Sequence, residues 1–186
     1  MSTKGTKWVF EPTHCKIGFS VTHFAISEVE GFFREFTGTV DTSSGDFSDA
    51  RVDVSIPVKS IDTQEASRDQ HLLNSDFFQA DRYPEITFKS TALCPIGERR
   101  FVMIGDLTMK DVTKPVELEV RFQGIIPKDP YGNTKAGFKV TGRVNRKDWG
   151  ITWNVPLDMG GVAVGNEIEI TAHIQLLQVK EEVVVA

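Results

Sequence analysis

The chain lacks the features that would direct it to a nucleic acid or into a membrane. Its 21 Lys and Arg residues are outnumbered by 26 Asp and Glu residues, and the net charge of −5 offers no basic surface for nucleic acid. No stretch approaches the roughly 18 apolar residues that a membrane span needs. The amino terminus also has no apolar region typical of a secretory signal, so a cytoplasmic location is expected.

Motifs of redox, catalytic and metal chemistry are missing as well. Cys15 and Cys94 are the two cysteines, and because they lack a CxxC spacing we expect both to be free thiols. There is no GxSxG, HExxH, P-loop or GxGxxG motif. The four histidines, at 14, 23, 71 and 173, have no metal-ligand spacing. The sequence therefore predicts no catalytic residue, no metal site and no required cofactor.

What the sequence does contain is apolar residues at every second position, in one segment after another. In 15–23, for example, Ile17, Phe19 and Val21 share one face with His23. Such alternation places one face of a β-strand in an apolar interior and the other in water. The pattern is least regular in 32–40, where Phe32, Phe36 and Val40 share a side with Arg34. Eight strands are predicted, at 15–23, 32–40, 51–58, 85–90, 100–109, 115–122, 137–144 and 167–176.

The connections between these strands favour an antiparallel fold. Turn-forming residues separate the strands, and no long helical pattern alternates with them, which argues against parallel βαβ units. One short helix is predicted within 64–75, between strands three and four, with Ser67 and Gln70 as a capping box. Eight antiparallel strands remove their open edges by closing into a barrel. We therefore predict an all-β fold, a single eight-stranded barrel domain over 8–177, with flexible termini at 1–7 and 178–186.

The interior of such a barrel is the candidate binding site. Eight strands enclose just enough room for side chains or for one slender ligand, and the predicted inward faces are almost entirely apolar. Trp149 and Trp153 are expected to cover one end of the barrel or, alternatively, to line its mouth. The expected lining residues are Ile17, Phe19, Val21, Phe36, Val54, Ile56, Phe88, Leu118, Val120, Phe138, Val140, Ile168 and Ile170.

The segment RDQHLLNSDFF, at 68–78, concentrates polar residues around the predicted helix. The simpler interpretation is structural: Asp69 suits the helix dipole, Arg68 pairs with an acidic neighbour, and Phe77 and Phe78 seat the helix on the barrel rim. The other interpretation is a lid over the mouth of a cavity. In that case the candidates for contact with the polar head of a ligand are His23, Arg68, Asp69 and His71.

Four segments of the chain resemble the YceI-like family in the same order. They are W..EPTHC.IGFSVTH at 8–23, RDQHLLNSDFF…YPEITFKST at 68–91, GDLTMKDVTKPVEL at 105–118 and NRKDWGI at 145–151. The resemblance covers nearly the whole chain and implies a lipocalin-like barrel that binds a polyisoprenoid or similar long amphiphile. It supplies no catalytic residues. The family is often periplasmic, and Cys15 stands where it more usually has Ser.

The residue pattern and the resemblance together predict a non-catalytic protein that binds, stores or transports a long-chain isoprenoid lipid, such as an isoprenoid quinone. The lipid would be a ligand, not a cofactor. One alternative is a fatty acid or fatty amide binding protein. Another is an enzyme acting on a lipid head group through His71 or His23, and a third is an interaction protein whose barrel is filled by its own side chains. A homodimer is expected by family analogy only.

Overall fold

Eleven antiparallel strands and one α-helix are present in the computed structural model, which describes residues 5–180. The strands are β1 (Thr6–Phe10), β2 (Lys16–His23), β3 (Ser27–Phe33), β4 (Thr37–Thr42), β5 (Arg51–Pro57), β6 (Ile61–Asp62), β7 (Glu85–Gly97), β8 (Arg100–Met109), β9 (Val112–Ile126), β10 (Lys135–Asn145) and β11 (Val164–Gln178). The helix α1 spans Ala66–Leu73, and short 3-10 helices occur at Pro12–His14, Val58–Ser60 and Arg146–Trp149.

The eleven strands form a closed barrel of eight, because three of the barrel strands are interrupted. β1 with β2, β3 with β4, and β5 with β6 each count as one strand with a break. Every following strand pairs with the one before it, and β11 pairs back with both β2 and β1, which closes the ring. The predicted eight-stranded antiparallel barrel is confirmed, with α1 in the connection between the third and fourth barrel strands.

The break between β3 and β4 changes the register that the sequence predicted for 32–40. Phe33 and Gly31 are buried, whereas Phe32 faces outward beneath the ammonium of Lys16, 5.2 Å from the ring centre. Arg34 leaves the sheet: its N–H donates to the carbonyl of Ser60 and its guanidinium pairs with Asp62. A single alternating strand through this segment was therefore a wrong prediction.

The chain termini are more ordered than expected where the structure describes them. Thr6 and Lys7 belong to β1, which pairs with β4 and β11, and Gln178 belongs to β11. Trp8, also on β1, is 4% exposed and is part of the core. The rest of the segments predicted as flexible, except Gly5, Val179 and Lys180, lies outside the described residues.

The two ends of the barrel are closed differently. The helix end carries the β2–β3 turn, residues 58–84 with α1, and residues 146–163. The opposite end, here called the Phe47 end, is closed by residues 43–50. The ring of Phe47 is 2% exposed and packs 5.2 Å from Trp8, 5.6 Å from Phe122 and 5.0 Å from Phe138. The barrel core therefore lies between an aromatic plug and a helical cap.

Candidate functional site

An apolar cavity of about 290 Å³ runs along the inside of the barrel. It begins beside Phe47 and Leu176 at the Phe47 end and reaches Leu72, Phe78 and Ile151 at the helix end. Twelve of the thirteen residues expected to line it do form its wall: Ile17, Phe19, Val21, Val54, Ile56, Phe88, Leu118, Val120, Phe138, Val140, Ile168 and Ile170. Their contact with a ligand stays a prediction.

Phe36 is the exception among the thirteen. It is buried but does not lie on the wall, because the chain leaves the sheet between β3 and β4 and the register changes there. Its ring packs edge-on against Phe10, 6.3 Å away, and Phe10 itself faces the cavity. Gly38 leaves room for that arrangement, since a Cβ at this position would overlap the Phe10 ring. Phe36 thus supports the wall from behind.

Sequence reasoning missed several wall residues. Strand β8 contributes Phe101, Met103 and Leu107 from its inward face, but the apolar outward neighbours Val102 and Ile104 obscured the alternation. Phe33 was missed because of the break after β3, and Phe47 because it comes from a connection and not from a strand. A connection has no period-two pattern, so no signal in the sequence marked Phe47.

The helix end of the cavity is covered by the connection that contains α1. Leu72 from the helix and Phe77 and Phe78 after it face the cavity, as expected for residues that seat the helix on the rim. No residue of α1 is fully buried. The predicted capping box at Ser67 is replaced by Glu65, whose carboxylate accepts from the N–H of Arg68 (2.7 Å) and of Ser67 (3.2 Å). Hydrogen bonds from Ser67 and Arg68 lower the pKa of Glu65.

Arg68 and Asp69 face the start of the helix and not the cavity. The Arg68 guanidinium donates to the hydroxyl (2.7 Å) and the carbonyl (2.8 Å) of Thr63. The Asp69 carboxylate accepts from the N–H of Thr63 at 2.9 Å and from its hydroxyl at 2.6 Å. Both side chains therefore hold α1 to the residues before it. The acidic partner expected for Arg68 is replaced by Thr63.

His71 and His23 also lie away from the cavity wall. The imidazole Nε2 of His71 is 2.8 Å from a carboxylate oxygen of Asp76, and the ring stands edge-on to Phe77 and Trp153, at 5.0 and 4.7 Å. His23 is the last residue of β2, and its ring lies 3.8 Å from that of Phe24 in the following turn. None of the four expected head-group residues forms the wall, so a ligand head would meet them only outside the cavity.

Among residues 5–180, Arg146 is the one ionisable residue on the wall, and sequence reasoning did not single it out. It is 3% exposed, and its guanidinium donates to the carbonyls of Gly165 (2.8 Å), Ile151 (2.9 Å) and Trp153 (2.9 Å). Within residues 5–180 no carboxylate lies within ion-pair distance of it. Burial lowers the pKa of Arg146. The position of Arg146 in the NRKDWGI segment was the only signal that pointed to it.

The two tryptophans of the same segment both belong to the cap. Trp149 is 2% exposed and its indole N–H donates to the carbonyl of Leu107. Trp153 is half-buried and its ring lies 5.3 Å from Phe77. Neither forms the cavity wall, so the structure supports the cover over the end of the barrel and not the lining of its mouth.

The described residues offer little for metal or membrane-spanning chemistry. They contain no group of three or more His, Cys, Asp or Glu side chains arranged to hold a metal ion. Among them, too, no helix combines the length and apolarity that crossing a bilayer requires. The apolar wall of the cavity is suited to enclose an apolar molecule.

A closed antiparallel barrel around an apolar cavity is the architecture of lipocalin-like binding proteins. The family model of the YceI-like domain matches residues 8–176 of this chain. The chain therefore belongs to the YceI-like family, as the four sequence segments indicated. The predicted family resemblance is confirmed.

Similar proteins agree with that assignment. UPF0312 protein SA2479 of Staphylococcus aureus strain N315 is 33% identical over 167 residues, which cover 90% of this chain and 95% of the relative. The Campylobacter jejuni YceI protein is 28% identical, with a TM-score of 0.71 over 86% of this chain and 90% of its own.

Two more distant structures share the fold alone. Burkholderia cenocepacia BcnA is 20% identical, with a TM-score of 0.76 over 89% of this chain and 98% of its own. A polyisoprenoid binding domain from Saccharophagus degradans, implicated in plant cell wall breakdown, is 10% identical. Its TM-score is 0.69 over 92% of this chain and 98% of its own.

Proposed function

We propose that this protein binds a long-chain isoprenoid lipid inside the barrel and stores or carries it without changing it chemically. The observation that carries the proposal is the continuous apolar wall between the Phe47 end and the helix end, around a cavity of about 290 Å³. Apolar surface removed from water contributes about 25 cal/mol per Å². Part of that gain is offset by the loss of freedom on association, so a long hydrocarbon chain suits this site better than a short one.

The wall supports binding through the hydrocarbon tail more than through a polar head. Its single ionisable side chain, Arg146, already donates to backbone carbonyls. The candidate head-group residues lie outside, near the helix end. Affinity would therefore come from the tail, and the head group would remain near solvent beside α1. The structural neighbour from Saccharophagus degradans is described as a polyisoprenoid binding domain, and its shared fold is consistent with this proposal.

The same wall supports a role without catalysis. A reaction on a bound lipid needs a nucleophile or a base within reach of the reacting atom. No wall residue in the described part of the chain carries a hydroxyl, thiol, carboxylate or imidazole group. His71 lies outside the cavity with Asp76 and two aromatic rings as its partners. An enzyme that works through His71 would turn over a substrate and lose turnover in His71→Ala, whereas a carrier would keep its bound lipid unchanged.

The test begins with the lipid that accompanies the purified protein. Solvent extraction followed by mass spectrometry should recover an isoprenoid lipid, and the emptied protein should take up an added isoprenoid quinone. A fatty acid and a fatty amide serve as competing probes, because an apolar wall accepts any flexible hydrocarbon. Recovery of no amphiphile together with no uptake of any probe would contradict the proposal and favour a self-filled barrel.

A matched pair of variants on β11 localises the uptake. Ala172 faces the cavity, and its neighbour Thr171 faces solvent. Ala172→Phe should fill the middle of the cavity and reduce uptake at least tenfold, while Thr171→Phe should bind like the unmodified protein. Equal uptake by both variants would place the lipid outside the barrel.

The proposal also includes a cytoplasmic location. Cys15 and Cys94 are free thiols, which fits the reducing cytoplasm better than an oxidising compartment. A homodimer stays a prediction by family analogy, and size-exclusion chromatography with light scattering would test it.

A further inference from the structure

Two turns at the helix end present apolar side chains to solvent. We call them the apolar tips and define them as residues 24–26 and 155–162. Five side chains in these turns are large, apolar and exposed by the fractions shown: Phe24 45%, Ile26 87%, Val155 44%, Met159 99% and Val162 45%. Asp158 is the only charged residue in the two segments. Exposed apolar groups collected in one place mark an interaction site more often than scattered ones do.

The two tips are neighbours, and backbone hydrogen bonds hold them in place. The N–H of Phe24 donates to the carbonyl of Ala163 at 2.8 Å, which joins the first tip to the end of the second. The second tip is a small hairpin: Pro156 and Val162 form a bridge, and the N–H of Gly160 donates to the carbonyl of Leu157 at 2.9 Å. Hydrogen-bonded turns therefore present these apolar side chains to solvent.

The conformation of the first tip does not favour the residue types that occupy it. Phe24 and Ala25, at the centre of the β2–β3 turn, both have positive φ angles, 50° and 57°. This backbone conformation favours Asn and Gly, and it is strained for a bulky side chain. An Asn-Gly pair would make the same turn with less strain. An exposed phenylalanine at a strained position is the kind of feature that persists where function uses it.

The tips also continue the apolar surface of the cavity. Val21 and Val164 form part of the cavity wall, and each lies within three residues of a tip, before Phe24 and after Val162 respectively. The strands that enclose the cavity therefore lead directly into the tips. A lipid leaving the cavity at the helix end would pass beside them.

We propose that the apolar tips insert into the surface of a lipid bilayer while the protein loads or releases its ligand. This inference rests on the proposed function, because it takes the ligand to be a membrane lipid. Met159 is 99% exposed and protrudes from its turn, so a bilayer surface can surround it without a preformed pocket. Apolar insertion combined with an almost uncharged contact matches the interior of a bilayer and needs no anionic lipid.

The Phe47 end provides the internal comparison. Five large apolar side chains are exposed there as well: Ile96 50%, Ile125 40%, Ile126 56%, Tyr131 86% and Val179 41%. Charged residues are interspersed among them, since Glu98 and Arg99 follow Ile96, Lys128 lies between Ile126 and Tyr131, and Lys180 follows Val179. The two tips together contain one charged residue, Asp158. Charged groups beside apolar ones raise the cost of entering a bilayer. This end is therefore expected to remain in water.

Flotation of the full chain with vesicles of palmitoyl-oleoyl-phosphatidylcholine tests the contact. The unmodified protein should float with the vesicles. The tip variant Ile26→Glu with Met159→Glu should bind them at least about tenfold more weakly, a difference of about 1.4 kcal/mol. The control variant Ile126→Glu with Tyr131→Glu should bind like the unmodified protein. All four side chains are exposed, so equal thermal stability of the three proteins is expected and is measured alongside.

A second measurement separates this inference from the proposed function. Uptake of a fluorescent isoprenoid probe is followed once from vesicles and once from dilute solution. The tip variant should take up the dissolved probe normally and the vesicle-borne probe more slowly. If the unmodified protein takes up neither, the proposed function fails. Three results would overturn the inference alone: no flotation of the unmodified protein, equal transfer from vesicles by the tip variant, or binding that needs anionic lipid and disappears in salt.

Discussion

The guanidinium of Arg146 donates a hydrogen bond to the carbonyl of Gly165, 2.8 Å away, across the connection between β10 and β11. The same side chain also donates to the carbonyls of Ile151 and Trp153, so several residues of this connection bind one buried guanidinium group. This cluster forms one part of the cover at the helix end of the cavity, next to the connection that contains α1, and the apolar tip at 155–162 belongs to it. One arginine therefore holds the β10–β11 part of the cap together.

Arg146→Met should lower the free energy of unfolding by about 3 kcal/mol or more, because each hydrogen bond to a charged group contributes about 1.5–3 kcal/mol and buried carbonyls would lose their donor. Urea unfolding measures the change. Arg146→Lys should not restore stability, since one ammonium does not reproduce the planar fork of donors. The control is Arg143→Met on the outer face of β10, where exposed pairs with Glu167 and Glu169 predict a loss below about 1 kcal/mol.

The hydrogen bonds of Asp49 predict that acid destabilises residues 43–50, which close the Phe47 end. Hydrogen bonds from the side chains of Thr42 and Ser44, and from the N–H groups of Ser43 and Ser44, hold the pKa of Asp49 far below its usual range. A carboxylate with a lowered pKa stabilises the folded state above its unfolded pKa, and this contribution is lost as the pH falls toward the folded value. The stabilisation should therefore be complete at neutral pH and decline below about pH 4.

The measurement compares Asp49→Asn with the unmodified protein at several pH values. The variant should have a lower urea midpoint at pH 7, and the difference should shrink as the pH falls below about 4. A gap that stays constant down to pH 2 would show that ionisation of Asp49 is not the cause. Asp53→Asn is the control, since Asp53 makes an exposed pair with Lys89 at 3.6 Å and no other ion pair or side-chain hydrogen bond within the described residues.

Substitution of Gly105 by alanine is expected to change the shape of the cavity. A Cβ at this position would overlap the ring of Phe88, which forms part of the cavity wall, and would lie 2.6 Å from the backbone carbonyl oxygen of Lys89 on β7. Gly105→Ala should therefore displace the Phe88 ring, strain the pairing of β7 with β8 and weaken lipid uptake several-fold, as measured by titration with a fluorescent isoprenoid probe. Urea unfolding of the same variant measures the strain separately. Gly97→Ala is the matched control, because a Cβ there meets nothing within 4 Å. Equal affinity in the two variants would mean that Phe88 does not limit the bound chain.

The barrel could be predicted from the sequence because its signal is local. In a strand, every second side chain faces the interior. This rule correctly placed Ile17, Phe19 and Val21 of β2, and Ile168 and Ile170 of β11, on the cavity wall. The family segments supported the same fold. Where an apolar residue faces outward, as Val102 and Ile104 do on β8, the alternation is masked and the inward residues were missed.

The placement of polar residues could not be predicted in the same way. Arg68, Asp69 and His71 stand close together in sequence and looked like a single polar site. In the structure Arg68 and Asp69 bind Thr63, and His71 turns to Asp76. Hydrogen-bond partners depend on the path of the chain before and after the helix, and no periodic pattern records that path.

By itself, the sequence determined the class of fold, the apolar character of the interior and most of the wall, because strand alternation and burial are properties of neighbouring residues. Tertiary structure alone decided the plug at Phe47, the withdrawal of Phe36 behind Phe10, and the role of Arg146 in the cap. It also brought Phe24 beside Ala163 and so created the apolar tips. These features join residues far apart in the chain, and their contacts exist only once the barrel has closed.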